Sequence, residues 1–179
     1  MKLPIFVTLA VAFVSSLAVA ADPTPVSNSA FEITLPAGFA AFEEKTQSSK
    51  GEEGMIETHN WISKAPTGEA IVVTVSTMPG KILDPEKLMN STRDSLLKSL
   101  NATVETQEKV EGDIPATRIL FKSSGATPVF LRARMAVRGD QMYQVLYVGR
   151  SEEQRSSASI GGAFDSFRPA PPVQAAAAR

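Results

Sequence analysis

The residues best suited to chemistry in this chain lie around one turn. Gly139-Asp140 separates two alternating runs, Val129 to Arg138 and Gln141 to Gly149, and a two-residue connection of this kind favours a hairpin with a primed turn. Such a turn fixes the register. Arg138 falls opposite Gln141, Ala136 opposite Tyr143, Arg134 opposite Val145 and Arg132 opposite Tyr147. One face then carries Arg132, Arg134, Arg138, Tyr143 and Tyr147, together with Phe130. The other holds Leu131, Ala133, Met135, Val137, Met142, Leu146 and Val148, with Gln144 its single polar member, and reads as core. Guanidinium forks bind carboxylates and phosphates and tyrosine rings offer stacking area, so these five residues are candidate contacts for a protein partner or an anionic ligand. The pattern has a second reading. A following helix and the acidic N-terminal half cover the face, arginine stems pack on tyrosine rings, and the heads pair with groups such as Glu152, Glu153 or Asp165.

Charge is distributed to match. From Ile114 to Arg179 there are nine basic and four acidic residues, whereas Ala21 to Asp113 holds eight basic and fifteen acidic ones. The chain is therefore polarised along its length although its net charge is only −1. A nucleic-acid partner is not expected, because the overall basic footprint is missing.

The remaining chemistry is sparse. The 179 residues include one histidine and no cysteine, which excludes disulfides, thiolate catalysis, Cys-rich zinc or iron–sulfur sites and multi-His metal cages. His59 alternates with Trp61 and Glu57 on one strand face and reads as structural. An enzyme built on it, hydrolytic or metal-assisted, would need His59 in a cleft with a carboxylate in hydrogen-bond reach. No Gly-x-Ser-x-Gly elbow accompanies it, and Gly161-Gly162 lacks the Lys-Ser/Thr ending of a phosphate loop. The pairs Glu43-Glu44, Glu52-Glu53 and Glu152-Glu153 read as solvated surface, and the loop spacing of a calcium site is missing. No catalytic residue, metal or cofactor is expected.

The chain opens like an export signal. Lys2 precedes an apolar run from Leu3 to Ala20, which ends in Ala18-Val19-Ala20, the small residues of a cleavage site before Ala21. Residues 1–20 are expected to be removed, leaving a periplasmic or extracellular protein with no stable membrane anchor. Residues 21–30, rich in Pro, Ser and Asn, read as a linker, 31–168 as one domain, and the Pro/Ala-rich 169–179 as a disordered tail.

Within the domain, Phe31–Leu35 alternates as a half-buried strand, and the wholly polar stretch Glu43 to Gly54 reads as a loop. Strands are expected at Met55 to Ser63 and Glu69 to Met78. Asp84 as N-cap, Pro85 at the first helical position and the stripe Leu88, Met89, Leu96, Leu97, Leu100 predict a helix to Asn101. A short strand near Glu108 to Val110, another at Ala116 to Lys122, and the arginine hairpin follow. Ser151-Glu152-Glu153-Gln154 has the form of a capping box, which opens a last helix to about Phe164. The order β, ββ, α, ββ, ββ, α defines an α+β protein with an antiparallel sheet.

Several of these pieces together resemble the PsbP-like superfamily. They are Phe31-x-Ile33-x-Leu35-Pro36-x-Gly38-Phe39, the helix after Asp84-Pro85, Glu108-x-Val110-x-Gly112-x-x-Pro115-Ala116, the Arg/Tyr hairpin and Phe164-x-Ser166-Phe167. That superfamily includes extrinsic photosystem II proteins, a Ran-binding factor of the Mog type and bacterial exported DcrB-like proteins. The resemblance implies an antiparallel sheet sandwiched by helices (an α/β/α sandwich) and a non-enzymatic binding or accessory role, for example in envelope or membrane-complex assembly. It brings no catalytic residues. The DcrB-like branch is nearest in targeting, but its members are often lipoproteins and this chain has no cysteine to lipidate. A purely structural secreted protein is the other non-enzymatic alternative.

Overall fold

A computed structural model describes residues 22–51 and 54–170; residues 1–20, read from the sequence as an export signal, and residues 171–179 of the expected tail lie outside them. Seven strands form one antiparallel sheet in the order β3 (Glu43–Lys50), β4 (Met55–Lys64), β5 (Ala70–Thr77), β9 (Gln141–Gly149), β8 (Phe130–Arg138), β7 (Ala116–Ser123), β6 (Ala102–Val110). A second sheet of three strands places β2 (Phe31–Leu35) between β1 (Thr24–Ser27) and β10 (Arg168–Pro169). The chain is thus α+β and predominantly antiparallel.

Each face of the large sheet buries its own core. On one side α1 (Pro85–Leu100) lays Met89 and Leu96 against Val72, Phe121, Leu131, Met135 and Leu146. The helix begins where Asp84 Oδ1 accepts the Lys87 N–H at 3.0 Å and ends at Asn101, whose φ of +46° suits an Asn at a left-handed cap. On the other side α3 (Ala158–Ser166) and the three-stranded sheet cover the hairpin face. Ile160, Ala163 and Phe164 of the helix and Phe31, Ile33 and Leu35 of β2 pack on Trp61, Val73, Tyr143, Val145 and Tyr147. This second layer is therefore part helix and part sheet rather than helix alone.

Four expectations are corrected. Residues 24–27, read within a linker, form an edge strand paired Thr24↔Leu35 through Ser27↔Glu32. The cause is turn chemistry: Asn28 Oδ1 accepts the N–H groups of Ala30 and Phe31 at 2.8 and 2.9 Å, folding the chain back, and Pro25 is tolerated on an edge. Pro169, placed in the tail, pairs with Phe31 in β10, and the Ala170 N–H donates to Ala30 O at 2.8 Å. The polar stretch after Glu43 is the strand β3, all eight of whose residues are exposed; with neither face buried there is no apolar alternation to read. The same holds for β6, nine residues rather than three, which carries a bulge between Val104 and Thr106 of the kind that blunts a sheet edge.

The last helix also breaks. Ser151 Oγ accepts the Gln154 N–H at 3.2 Å, as a capping box requires, but Gln154 Oε1 takes the Arg150 N–H at 3.0 Å instead of that of Ser151. One turn later Ser157 caps a new helix, its Oγ accepting from Ile160 N. The result is α2 (Glu152–Arg155) followed by α3.

Candidate anion-binding cleft

The hairpin register expected from Gly139-Asp140 is present: Arg138 pairs with Gln141, Ala136 with Tyr143, Arg134 with Val145 and Arg132 with Tyr147. The face is covered, as the second reading of it required. Tyr143 and Tyr147 are 1% and 0% exposed, so neither offers a stacking surface. Tyr147 Oη donates to Glu69 Oε1 at 2.6 Å and Tyr143 Oη to Gln141 Oε1 at 2.5 Å. Burial pushes both phenols above their ordinary range, reinforced at Tyr147 by the Glu69 carboxylate. Arg132 is likewise architectural, its guanidinium 5.1 Å from the centroid of the Phe164 ring.

Arg134 and Arg138 behave differently, because two further arginines join them. Strand β7 places Arg118 directly opposite Arg134, and Arg168 follows the end of α3. Together Arg118, Arg134, Arg138 and Arg168 line a cleft of about 390 Å³, bounded by the 110–114 loop and by Asp165. Like charges directly opposite on one sheet face are destabilising. The cost is offset by polar ties to α3 and β10. Arg134 Nη1 donates to Phe164 O at 2.7 Å and Phe167 O at 3.3 Å, and the negative end of a helix dipole suits a cation there. Arg138 Nη1 donates to Pro169 O at 3.2 Å, and Arg168 Nη1 to Phe167 O at 2.8 Å. Arg118 pairs with Asp165 through Nη2, and its Nη1 is 4.0 Å from Glu108.

The compensation is incomplete. Arg118 Nε and Arg134 Nε are buried without a hydrogen-bond partner. Burial first, then the Arg118 and Arg168 charges, hold Arg134 below the usual guanidinium range. A cleft lined by four guanidinium groups is suited to an anion. Sequence reasoning identified Arg134 and Arg138 but missed Arg118 and Arg168. Arg118 does alternate correctly on its strand, but the longer connection to Phe130 fixes no register that would pair it with Arg134.

His59 is the other constellation. Its Nδ1 lies 2.9 Å from Glu44 Oε1 and 3.1 Å from Thr46 Oγ1, its Nε2 lies 3.1 Å from Glu57 Oε1, and the ring stacks on Trp61 at 5.6 Å. Carboxylates are therefore in reach, as an enzyme built on His59 would require. A carboxylate beside each ring nitrogen, however, favours the protonated imidazole, which has no lone pair for general-base work. The arrangement is an ion-pair node tying β3 to β4. Glu44 first, and then Glu57, raise the imidazole above its ordinary value against a smaller opposing effect of burial. Because the folded value is raised, the node's contribution to stability is complete below the unfolded imidazole value, about 6.5, and fades as pH rises through the folded one. His59→Gln is expected to reduce the difference in urea midpoint between about pH 5.5 and 8.5, most of its loss falling at the acidic end. An unchanged difference would remove His59 as its source. Among the described residues, no group of three or more His, Asp or Glu side chains is placed to hold a metal ion.

An antiparallel seven-stranded sheet with α1 on one face and α3 plus a small sheet on the other defines a PsbP-like α+β fold. The chain is similar in structure to cyanobacterial PsbP (CyanoP) from Synechocystis sp. PCC 6803, with a TM-score of 0.57 over 89% of this chain and 98% of that one. Identity is 12%, so the likeness is one of fold. No family model matches the chain, and no curated protein matches it in sequence. No helix among the described residues is long and apolar enough to cross a membrane.

Proposed function

We propose that this protein is an exported, non-catalytic accessory module that holds an anionic group of a partner in the cleft formed by Arg118, Arg134, Arg138 and Arg168. The observation that carries the reading is the opposition of Arg118 and Arg134 on one sheet face beside two more arginines, with two guanidinium Nε groups left unpaired. The PsbP-like fold supports an accessory role, and the apolar run ending at Ala20 supports export. The binding surface is thus shifted from the tyrosines toward the rim of the sheet, where β7, β8 and the end of α3 meet.

Calorimetric titration of the exported protein with anionic peptides, one bearing glutamates and one a phosphoserine, tests the reading against a neutral glutamine peptide. At least one anionic peptide is expected to bind. Its affinity should fall several-fold between about 0.05 and 0.3 M salt, because part of the attraction is screened. Arg138→Gln, which loses one backbone contact at the cleft rim, is expected to weaken binding about tenfold with the circular-dichroism spectrum unchanged. Equal binding of the neutral peptide, or no binding of either anion, would contradict the proposal.

A further inference from the structure

We infer that β3 is a self-association edge, at which two copies of this chain join antiparallel about a two-fold axis at Gln47. β3 is the outer strand of the large sheet, and all eight of its residues are exposed, so neither of its faces is blocked. The other sheet edges are blunted. β6 carries its bulge between Val104 and Thr106, β1 contains Pro25, and β10 is two residues long and includes Pro169. β3 has no proline, glycine or bulge, and pairs with β4 without a shift from Glu43↔Ile62 to Lys50↔Met55. Its outer backbone groups are a straight template for another strand.

Which groups face outward follows from the hairpin. The Gly51 N–H donates to Gly54 O at 2.7 Å, one rung beyond Lys50↔Met55, so Gly51 turns its backbone groups toward the paired strand. Alternation in an antiparallel ladder then aims those of Ser49, Gln47, Lys45 and Glu43 at β4 and leaves those of Glu44, Thr46, Ser48 and Lys50 for a neighbour. A second antiparallel copy uses all four only in the register that sets Gln47 against its symmetry mate. Glu44 then opposes Lys50 of the second copy, and Thr46 opposes Ser48, each twice by symmetry. Opposite charges meet at both ends of the contact, and no like charges stand directly opposite each other. Sliding the register either way loses a bonded pair and separates Glu44 from Lys50. Because both copies contribute the same edge, the contact closes as a dimer and does not propagate.

Sedimentation equilibrium of the exported protein between about 5 µM and 1 mM tests the inference. Two strand edges bury less than a standard interface, so a monomer–dimer equilibrium with a Kd on the order of 10–500 µM is expected. Ser48→Pro removes an outward N–H but no bond to β4, and is expected to weaken dimerisation at least about tenfold with the circular-dichroism spectrum unchanged. Lys50→Glu and Glu44→Lys should each dimerise several-fold more weakly than the parent, whereas an equal mixture of the two should recover, because opposite charges again meet at both ends. In the unaltered protein, hydrogen exchange of the Thr46 and Ser48 amides should slow as concentration rises, a reading that needs no variant to fold. A monomer across the whole range, exchange independent of concentration, or self-association that Ser48→Pro leaves unchanged would overturn the inference.

Discussion

Arg155→Met is expected to lower the stability of the protein by about 2–4 kcal/mol. The guanidinium is 4% exposed and joins three elements. Nη1 donates to Phe121 O at 3.1 Å and Leu131 O at 3.4 Å, carbonyls of residues that face each other across β7 and β8, and it pairs with Glu105 of β6 at 2.5 Å. Nη2 pairs with Glu152 in its own helix, and the group lies 5.6 Å from the Phe130 ring centroid. Methionine keeps much of the stem's packing but none of these bonds, and Glu105 and Glu152, both part-exposed, recover water in exchange. For a domain of this size the loss corresponds to a fall in Tm of roughly 6–12 °C, read by thermal circular dichroism. Arg155→Lys should recover less than half of it, because an ammonium cannot bridge two strands and two carboxylates as a planar fork does. A Tm within about 2 °C of the parent for Arg155→Met would show that α2 is held by apolar contacts alone.

Gly149→Ala comes next. A Cβ at this position would stand 2.3 Å from Tyr147 Oη and 2.7 Å from two of its ring carbons. In a flexible surface side chain such a contact is relieved by rotation. Tyr147 is fully buried and its hydroxyl is tied to Glu69, so either the ring is displaced into the packed core or the end of β9 moves. Overpacking of this kind costs about 1–3 kcal/mol, and the loss of the Tyr147–Glu69 bond about one more. Chemical denaturation should show the loss at an unchanged m-value, and combining Gly149→Ala with Tyr147→Leu should be less destabilising than the sum of the two single substitutions. Strict additivity would mean that the alanine is accommodated without touching Tyr147.

The reach of the sequence can be judged residue by residue. The β8–β9 register was legible because Gly139-Asp140 permits one pairing, and α1 because Asp84, Pro85 and the apolar stripe agree. Strand β3 was not legible and β6 only at its end, near Glu108 to Val110, since exposed, mostly polar edges leave little periodic trace. The burial of Tyr143 and Tyr147 depends on a layer assembled from both ends of the domain. Phe31, Phe167 and the pairing of β10 with β2 bring residues more than a hundred positions apart against the hairpin, and residues 24–27 had looked like a linker. The arginine cleft was half visible for the same reason: Arg134 and Arg138 follow from local alternation, whereas Arg118 and Arg168 reach them only through tertiary pairing.

The central claim is that these four arginines form the anion site. It is tested most directly by recording the side-chain Nε–H signals of nitrogen-15-labelled protein while the glutamate peptide and, separately, the phosphoserine peptide are added. The signals of Arg118, Arg134, Arg138 and Arg168 are expected to move together and saturate, while those of Arg93 and Arg150, outside the cleft, stay in place. Saturating shifts confined to Arg93 or Arg150, or no shift at any arginine, would contradict it.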